Sequence, residues 1–480
     1  MSEPTLTLTL AGPESPPADM PEWIVTRKLQ MRRLKVGVVL GLAAIALLTL
    51  GRIAAVSGWV QSVRIEGPSM AEAFVGKHLQ TTCADCGLAF RCDAENVPHD
   101  HRAVCPNCGY RDNVLNEVQE QPGEQVLLDR WPLLARGPRR WDKVGFRWQD
   151  KPGETWAVKR VVALPGEQWA IREGDLYIDG RIERKSLAQL RQQMTLVHDN
   201  NFRPERTQRL PPRWQGESRR SEWQLDGSGL VFNTSRSSSG GLSTSPNGAN
   251  DGGDGQAPDT SGFDWLSYRH WACTGSLAPR TEESPVLDND SYNQNAMRGL
   301  NAVTDVALHC RVQLKGIGRF AIAASDEPHQ FQAVFDPPRG RIVLLDGGNF
   351  IASAEIDPRT TDWDVFVALC DKRVLIAAGG RILIEHAYER DEPCETYRPF
   401  AIGGDSAALR VSELRVYRDL YYLAPDTTNR IWRAEQPLAS GHYALLGDNP
   451  PVSIDSRQAE AGVVKRDVLG VVYRPFWKTK

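Results

Sequence analysis

The chain has almost no excess charge: its 480 residues include 57 Lys and Arg against 60 Asp and Glu, a net charge of -3. Bulk electrostatics therefore give it no attraction for nucleic acid or an anionic membrane surface. It has one apolar run of membrane-crossing length, which limits it to a single tether. No Gly-x-Ser-x-Gly elbow with a His/Asp pair nearby is present, which removes the commonest route to an activated serine. Cysteine is not scarce but is unevenly placed. Five of the nine fall between Cys83 and Cys108, and Cys273, Cys310, Cys370 and Cys394 are scattered without a pattern. Fourteen Trp, 31 Pro and 41 Gly point to a β-rich, turn-rich architecture of two or three domains.

Residues Met1 to Met20 are rich in Pro, Thr and Ser and read as disordered. Arg27, Lys28, Arg32, Arg33 and Lys35 then precede the apolar run Val36 to Leu50. A span needs ~20 residues, and the run reaches that length if Arg52 snorkels to the far interface beside Trp59. The basic cluster places the N-terminus in the cytoplasm and everything beyond Trp59 outside it. The alternative is a cleaved signal peptide with Ala54-Ala55-Val56-Ser57 as its small-residue site. A 35-residue charged lead and an interior Arg52 favour the anchor.

Between Lys77 and Gln121 the chain reads Cys83-Ala-Asp-Cys86, eighteen residues, then Cys105-Pro-Asn-Cys108. Two Cys-x-x-Cys pairs at this separation are the zinc-ribbon arrangement, four thiolates closing a structural Zn²⁺ tetrahedron with no open position. Gly87 and Gly109 follow the pairs, where the knuckle turn suits a residue without Cβ. Cys92, His99 and His101 are alternative ligands that a four-Cys set leaves unneeded. Disulfides crossing between the pairs are the competing reading, since bridging within a Cys-x-x-Cys is strained.

Just beyond the anchor, Val63 to Phe74 contains Gly67-Pro68-Ser69-Met70. A serine needs a base, and the candidate is Lys159, in the apolar strand-like run Trp156 to Leu164, where desolvation lowers an ammonium pKa. Short strands bounded by turn residues are expected at Pro122–Asp129, Trp141–Trp148 and Asp175–Gly180. Near the end, Tyr443 to Arg457 brings a dense polar loop, Gly447-Asp-Asn-Pro-Pro-Val-Ser-Ile-Asp-Ser-Arg457, out of an apolar strand.

The order of anchor, Pro-Ser-Met, Lys-Arg-Val-Val-x-Leu-Pro-Gly-Glu and Gly-Asp-Asn-x-x-x-Ser-x-Asp-Ser-Arg resembles that of the bacterial type I signal peptidases, membrane-anchored Ser-Lys proteases that cut signal peptides from exported proteins. The resemblance implies Ser69 as nucleophile, Lys159 as general base and Ser453 as the hydroxyl that hydrogen-bonds the lysine. Asp455 and Arg457 match a buttressing pair, and Gly67, Met70, Arg160, Asp448, Asn449 and Ser456 complete the matched motifs. It also implies signal-peptide-bearing preproteins as substrates, residence in the cytoplasmic membrane, and catalysis without a cofactor. Two departures stand out. The family's common motif has a serine two residues before the nucleophile as an oxyanion donor, where this chain has Gly67. It usually continues x-Pro-Thr-Leu, where this chain has Ala71-Glu72-Ala73-Phe74.

A second insertion follows. Asn233 to Gly262 is a Ser/Gly/Asn/Asp run expected to be a flexible loop. Short alternating strands at Trp223–Phe232, Ala302–Leu314, Phe320–Ala324, Phe331–Phe335, Arg341–Leu345, Trp363–Leu369, Val374–Ala377, Ile382–Ile384 and Leu409–Tyr417 predict an antiparallel sandwich. Its closing portion resembles a laminin-G or concanavalin-like jelly roll, folds that bind glycans or peptides, though no set of calcium-binding acids is evident here. Cys310 and Cys370 fall in the strands as buried small side chains, with a disulfide left open.

The expected fold is thus mainly β. Residues 1–35 form a cytoplasmic tail and 36–58 the transmembrane anchor. Residues 59–76, 120–185 and 436–480 form a Ser-Lys peptidase core, interrupted by a zinc ribbon at 77–119 and a β-sandwich at 186–435. Two rival functions stand beside a general signal peptidase: a catalytically silent binding protein working through its sandwich, and a Ser-Lys protease dedicated to few substrates.

Overall fold

The computed structural model describes residues 22–56, 58–148, 155–205, 212–227, 229–233, 257–274, 282–295, 298–390, 394–406, 408–423, 430–458 and 462–475. The expected disordered stretch Met1 to Met20 lies outside them, as do residues 234–256 of the loop expected at 233–262. The fold is mainly β. Residues 1–61 form one compact unit and 62–480 a second. The first is dominated by a helix, Glu22–Val56, of which Met31–Ile53 is long and apolar enough to cross a membrane.

The second unit contains a sheet in which Gln125–Asp129, Val468–Tyr473, Lys143–Trp148, Thr155–Ala163, His442–Leu446 and Val463–Val464 follow in that order. Strands near both ends of the chain thus alternate within one sheet, with Val144 opposite Lys159 and Leu446 opposite Arg160. A smaller sheet pairs Trp169–Arg172 with Asp175–Ile178 and, on its other edge, with Ile431–Arg433.

Between these flanks lies the sandwich. One sheet of eight strands includes Val306–Lys315, Asp362–Leu369 and Ala408–Arg418, and its partner of seven includes Arg319–Ser325, Gln330–Asp336 and Arg341–Asp346. Alternation decides the faces. In Val306–Lys315, Leu308, Cys310, Val312 and Leu314 turn into the common core while Arg311 and Lys315 face solvent. Phe320 and Phe335 stack there at 4.4 Å against Trp363. Burying each ring stabilises the fold by roughly 2–3 kcal/mol.

Trp223–Phe232, read from the sequence as one strand, is a hairpin of Trp223–Asp226 and Gly229–Asn233, because Asp226-Gly227 turns the chain. A helix at Leu187–Gln193 was also missed, although Ser186 and Gln189 form a capping box at its start. Its Leu187 and Leu190 cover Ala307, Phe366 and Ala368 on the outer face of the eight-stranded sheet.

Candidate active site

The segment carrying Ser69 is a turn fixed by its apolar neighbours. Met70 and Phe74 are buried with Ile65 against Val126, Leu128 and Val472. The Ala71 amide donates to the Pro68 carbonyl at 3.0 Å and the Phe74 amide to that of Met70. With both apolar side chains pinned, Ser69 remains partly exposed at the turn and Gly67 is exposed. A Cβ added at Gly67 meets nothing within 4 Å.

Lys159 occupies the central strand Thr155–Ala163 and is 3% exposed. Its Nζ donates to Ser453 Oγ at 2.9 Å, and that hydroxyl donates to Asp455 Oδ2 at 2.7 Å. Asp455 is held in turn by Arg457, whose Nε and a terminal nitrogen each donate at 2.8 Å, and by the Gly447 amide at 3.1 Å. The lysine therefore meets an uncharged acceptor, while the nearby carboxylate is matched by a guanidinium.

Arg160, on the opposite face of the strand, forms a buried bidentate pair with Asp448, with Nε to Oδ1 at 2.7 Å. It ties the strand to the start of the polar loop. Ser456 closes the loop by exchanging hydrogen bonds with the Leu445 backbone. Asn449 spans to the serine turn: its amide donates to the Ser69 carbonyl and its Nδ2 to the Pro68 carbonyl, both at 3.1 Å.

Gly447 explains why the loop begins with glycine. A Cβ there would lie 2.3 Å from Ser453 Oγ and 2.5 Å from the Ser69 carbonyl oxygen. The Ser69 turn and the hydroxyl that receives Lys159 are thus packed against one α-carbon. Ser69, Lys159, Ser453, Asp455, Arg457, Asp448, Arg160, Asn449 and Ser456, up to 388 positions apart in the sequence, are brought into one neighbourhood. Sequence reading overlooked Lys143. Burial, and then the charge of Arg160, push its ammonium down to about 8, and it lies 4.7 Å from the Phe74 ring centre.

The four ribbon cysteines also converge, with all sulfurs within 4.8 Å of one another. Cys83 and Cys108 sulfurs stand 3.6 Å apart, as do those of Cys86 and Cys105. Disulfide sulfurs lie about 2.05 Å apart, whereas thiolates ~2.3 Å from a tetrahedral ion are separated by roughly 3.8 Å. The two knuckles have the same form: Gly87 at φ 77° donates to the Cys83 carbonyl and Gly109 at φ 76° to that of Cys105. Cys92, His99 and His101 are not part of the group. Cys310 and Cys370 are buried and free.

A cluster of buried charge that sequence spacing does not reveal lies where Asp175 of the small sheet meets the sandwich. Lys185 Nζ bridges Asp371 at 2.6 Å and Asp419 at 2.7 Å. Carboxylate oxygens of Asp175, Asp305 and Asp371 lie within 4.8 Å of one another. Burial and mutual repulsion raise Asp175 well above the ordinary carboxyl range, and burial raises Asp305 to about 6. On the outer face of the eight-stranded sheet, a groove of about 970 Å³ is lined in part by His309, Asp364, Arg415 and Tyr417.

Several solved structures share slight likeness with the chain. The carbohydrate binding module CBM66 from Bacillus subtilis is 10% identical over 42% of this chain and 94% of that one, at a TM-score of 0.26. The Emp47p carbohydrate recognition domain is 10% identical over 49% of this chain and 100% of that one, at 0.26. The Caenorhabditis elegans galectin LEC-6 is 9% identical over 24% of this chain and 80% of that one, at 0.18. No curated protein matches the chain. Residues 36–218, which hold Ser69 and Lys159, match the family model described as signal peptidase, peptidase S26.

Proposed function

We propose that the protein is a membrane-bound serine endopeptidase that removes signal peptides from exported proteins through a Ser69–Lys159 dyad. The observation that carries this reading is the buried Lys159 amine donating to Ser453, with the Ser69 turn packed against the same glycine as that hydroxyl. In this reading Ser69 Oγ attacks the scissile carbonyl and Lys159 accepts its proton. The Ser69 N–H stabilises the oxyanion, and Lys159 returns the proton to the leaving amine. Water, deprotonated by Lys159, then hydrolyses the ester. Ser453 holds the amine on target, and Asp455 with Arg457 holds Ser453.

The Met31–Ile53 helix supports a single-pass anchor, and the basic residues before it an N-terminus on the cytoplasmic side. The cysteine geometry supports a structural Zn²⁺ held by Cys83, Cys86, Cys105 and Cys108; no catalytic step uses it. The outer groove is the place for a glycan or protein ligand of the sandwich. Glu72 favours the narrower version of the activity, a protease dedicated to few substrates. It stands where the family usually has proline, receives a hydrogen bond from Ser291 and lines a cavity of about 400 Å³ beside the serine turn.

The test is cleavage of a preprotein with an Ala-x-Ala signal peptide by the detergent-solubilised full chain. Ser69→Ala and Lys159→Ala are each expected to abolish it. Native activity that survives either substitution would refute the dyad.

A further inference from the structure

Asn449 is 1% exposed, and every polar group of its side chain is engaged. Nδ2 donates to the Pro68 carbonyl at 3.1 Å and to Asn293 Oδ1 at 3.0 Å, and Oδ1 accepts from Asn293 Nδ2 at 2.7 Å. The reciprocal pair fixes the rotation of the Asn449 carboxamide. Because the Asn449 amide also carries the Ser69 carbonyl, that rotation is coupled to the position of the nucleophile. Asn293 belongs neither to the serine turn nor to the polar loop. It comes from the long insertion, 156 positions away from its partner.

The segment that delivers Asn293 is held from both sides. The Gln294 carboxamide exchanges two hydrogen bonds with the Val104 backbone, at 2.9 and 3.0 Å, and the Tyr292 carbonyl accepts from the Asp93 amide at 2.9 Å. These contacts seat it on the cysteine-bearing region. The Tyr292 hydroxyl donates to the Lys77 carbonyl at 2.7 Å, and its ring packs against Ala71 and Val75, just past the nucleophile. On the sandwich side, Arg418 donates to the Asn289 carbonyl at 2.8 Å. A segment fixed this firmly can hold a side chain to the tolerance that catalysis demands, where a misplacement of about 1 Å costs ~100-fold.

We propose that Asn293 is a positioning residue of the peptidase: through Asn449 it sets the Ser69 turn, so the inserted segment completes the active site and is not a detachable accessory. The proposal rests on the Ser-Lys reading. Asn293→Ala removes both halves of the amide pair, leaving Asn449 Oδ1 buried without its donor and the side chain free to rotate. Asn293→Asp keeps the shape and the acceptor but offers no donor.

The experiment measures kcat and KM of the full chain, Asn293→Ala, Asn293→Asp, Asn449→Ala and the Asn293→Ala/Asn449→Ala double variant. Each preparation is normalised to folded protein by its thermal transition. Asn293→Ala is expected to lower kcat about tenfold with KM within twofold, and Asn293→Asp to lie between it and the native chain. In the Asn449→Ala background, Asn293→Ala should change nothing further. A residue needed only for folding would lower the transition temperature and leave kcat per folded molecule intact, and that result overturns the proposal. So does an equal loss in both backgrounds. Should Asn293→Ala fail to fold, the comparison rests on Asn293→Asp in the two backgrounds. Native activity that depends on Ser69 with an unchanged Asn293 series sinks this proposal alone, whereas a native chain without such activity sinks the Ser-Lys reading and this one with it.

Discussion

Gly67→Ser should make the protease faster. Where the family usually has a serine hydroxyl as a second oxyanion donor, this chain offers no side chain. The site has room for one: a Cβ at residue 67 meets nothing within 4 Å and the backbone is not in the left-handed region. Packing and strain therefore oppose the substitution little. A well-placed oxyanion donor is worth about 2.7–4 kcal/mol. The new hydroxyl is exposed, so it must give up its hydrogen bonds to water and its rotamer freedom, which removes about half of the gain. What remains, about 1.4 kcal/mol, is a tenfold rise in kcat. The assay is single-turnover cleavage of an Ala-x-Ala preprotein, with Ser69→Ala as the blank and Gly67→Ala as the control for backbone stiffening. Gly67→Ser activity equal to that of Gly67→Ala would show that the transition-state oxygen does not face residue 67.

Asp455→Ala leaves Arg457 buried beside a hole where its carboxylate stood, and breaking such a pair costs about 3–5 kcal/mol; denaturant unfolding should register that loss, and cleavage should fall as Ser453 loses its acceptor. Asp175→Asn should raise the unfolding temperature of the chain at neutral pH. The sign follows from the raised carboxyls of Asp175 and Asp305: the native state holds protons that the unfolded chain has already released, so stability declines as pH rises from the ordinary carboxyl range, through about 6 for Asp305 and through the raised range of Asp175. Thermal scans across that window should show a shallower decline in the variant, and a parallel decline would remove the cluster as its source. Metal analysis of purified protein should find about one Zn²⁺ per chain, lost in Cys105→Ser, and a metal-free native chain would refute the ribbon assignment.

Those expectations came from different depths of the sequence. The long apolar helix and strands such as Val306–Lys315 were legible because an unbroken apolar run and period-2 alternation are local signals. The residues of the candidate site stood out in the sequence because Pro68-Ser69-Met70, Lys159-Arg160 and Gly447 to Arg457 are contiguous motifs. What stayed hidden was pairing across distance. Nothing around Asn293 announces that its carboxamide meets Asn449, and Asp175, Asp305 and Asp371 are single aspartates in unrelated strands until the fold assembles them. The helix at Leu187–Gln193 was overlooked for another reason: Ser186 and Gln189 mark its start, but only two turns follow, too few for a periodic pattern to stand out.

The pairing of Thr195–Asp199 with the end of Ala408–Arg418 bears on how the chain folds. Lys159 and Ser453 lie 294 positions apart, and closing a flexible loop near that length costs about 5 kcal/mol in chain entropy. The entering and leaving strands of the insertion lie side by side in the sandwich, with Thr195 opposite Arg418. Once the sandwich has folded, only the stretches from Lys159 to Thr195 and from Arg418 to Ser453 remain to be closed, an effective loop of about 70 residues, and the cost falls by about 1 kcal/mol. The insertion therefore acts on the kinetics of its host. A substitution that slows folding of the sandwich, however far from Ser69, should delay the appearance of activity during refolding, by up to about eightfold.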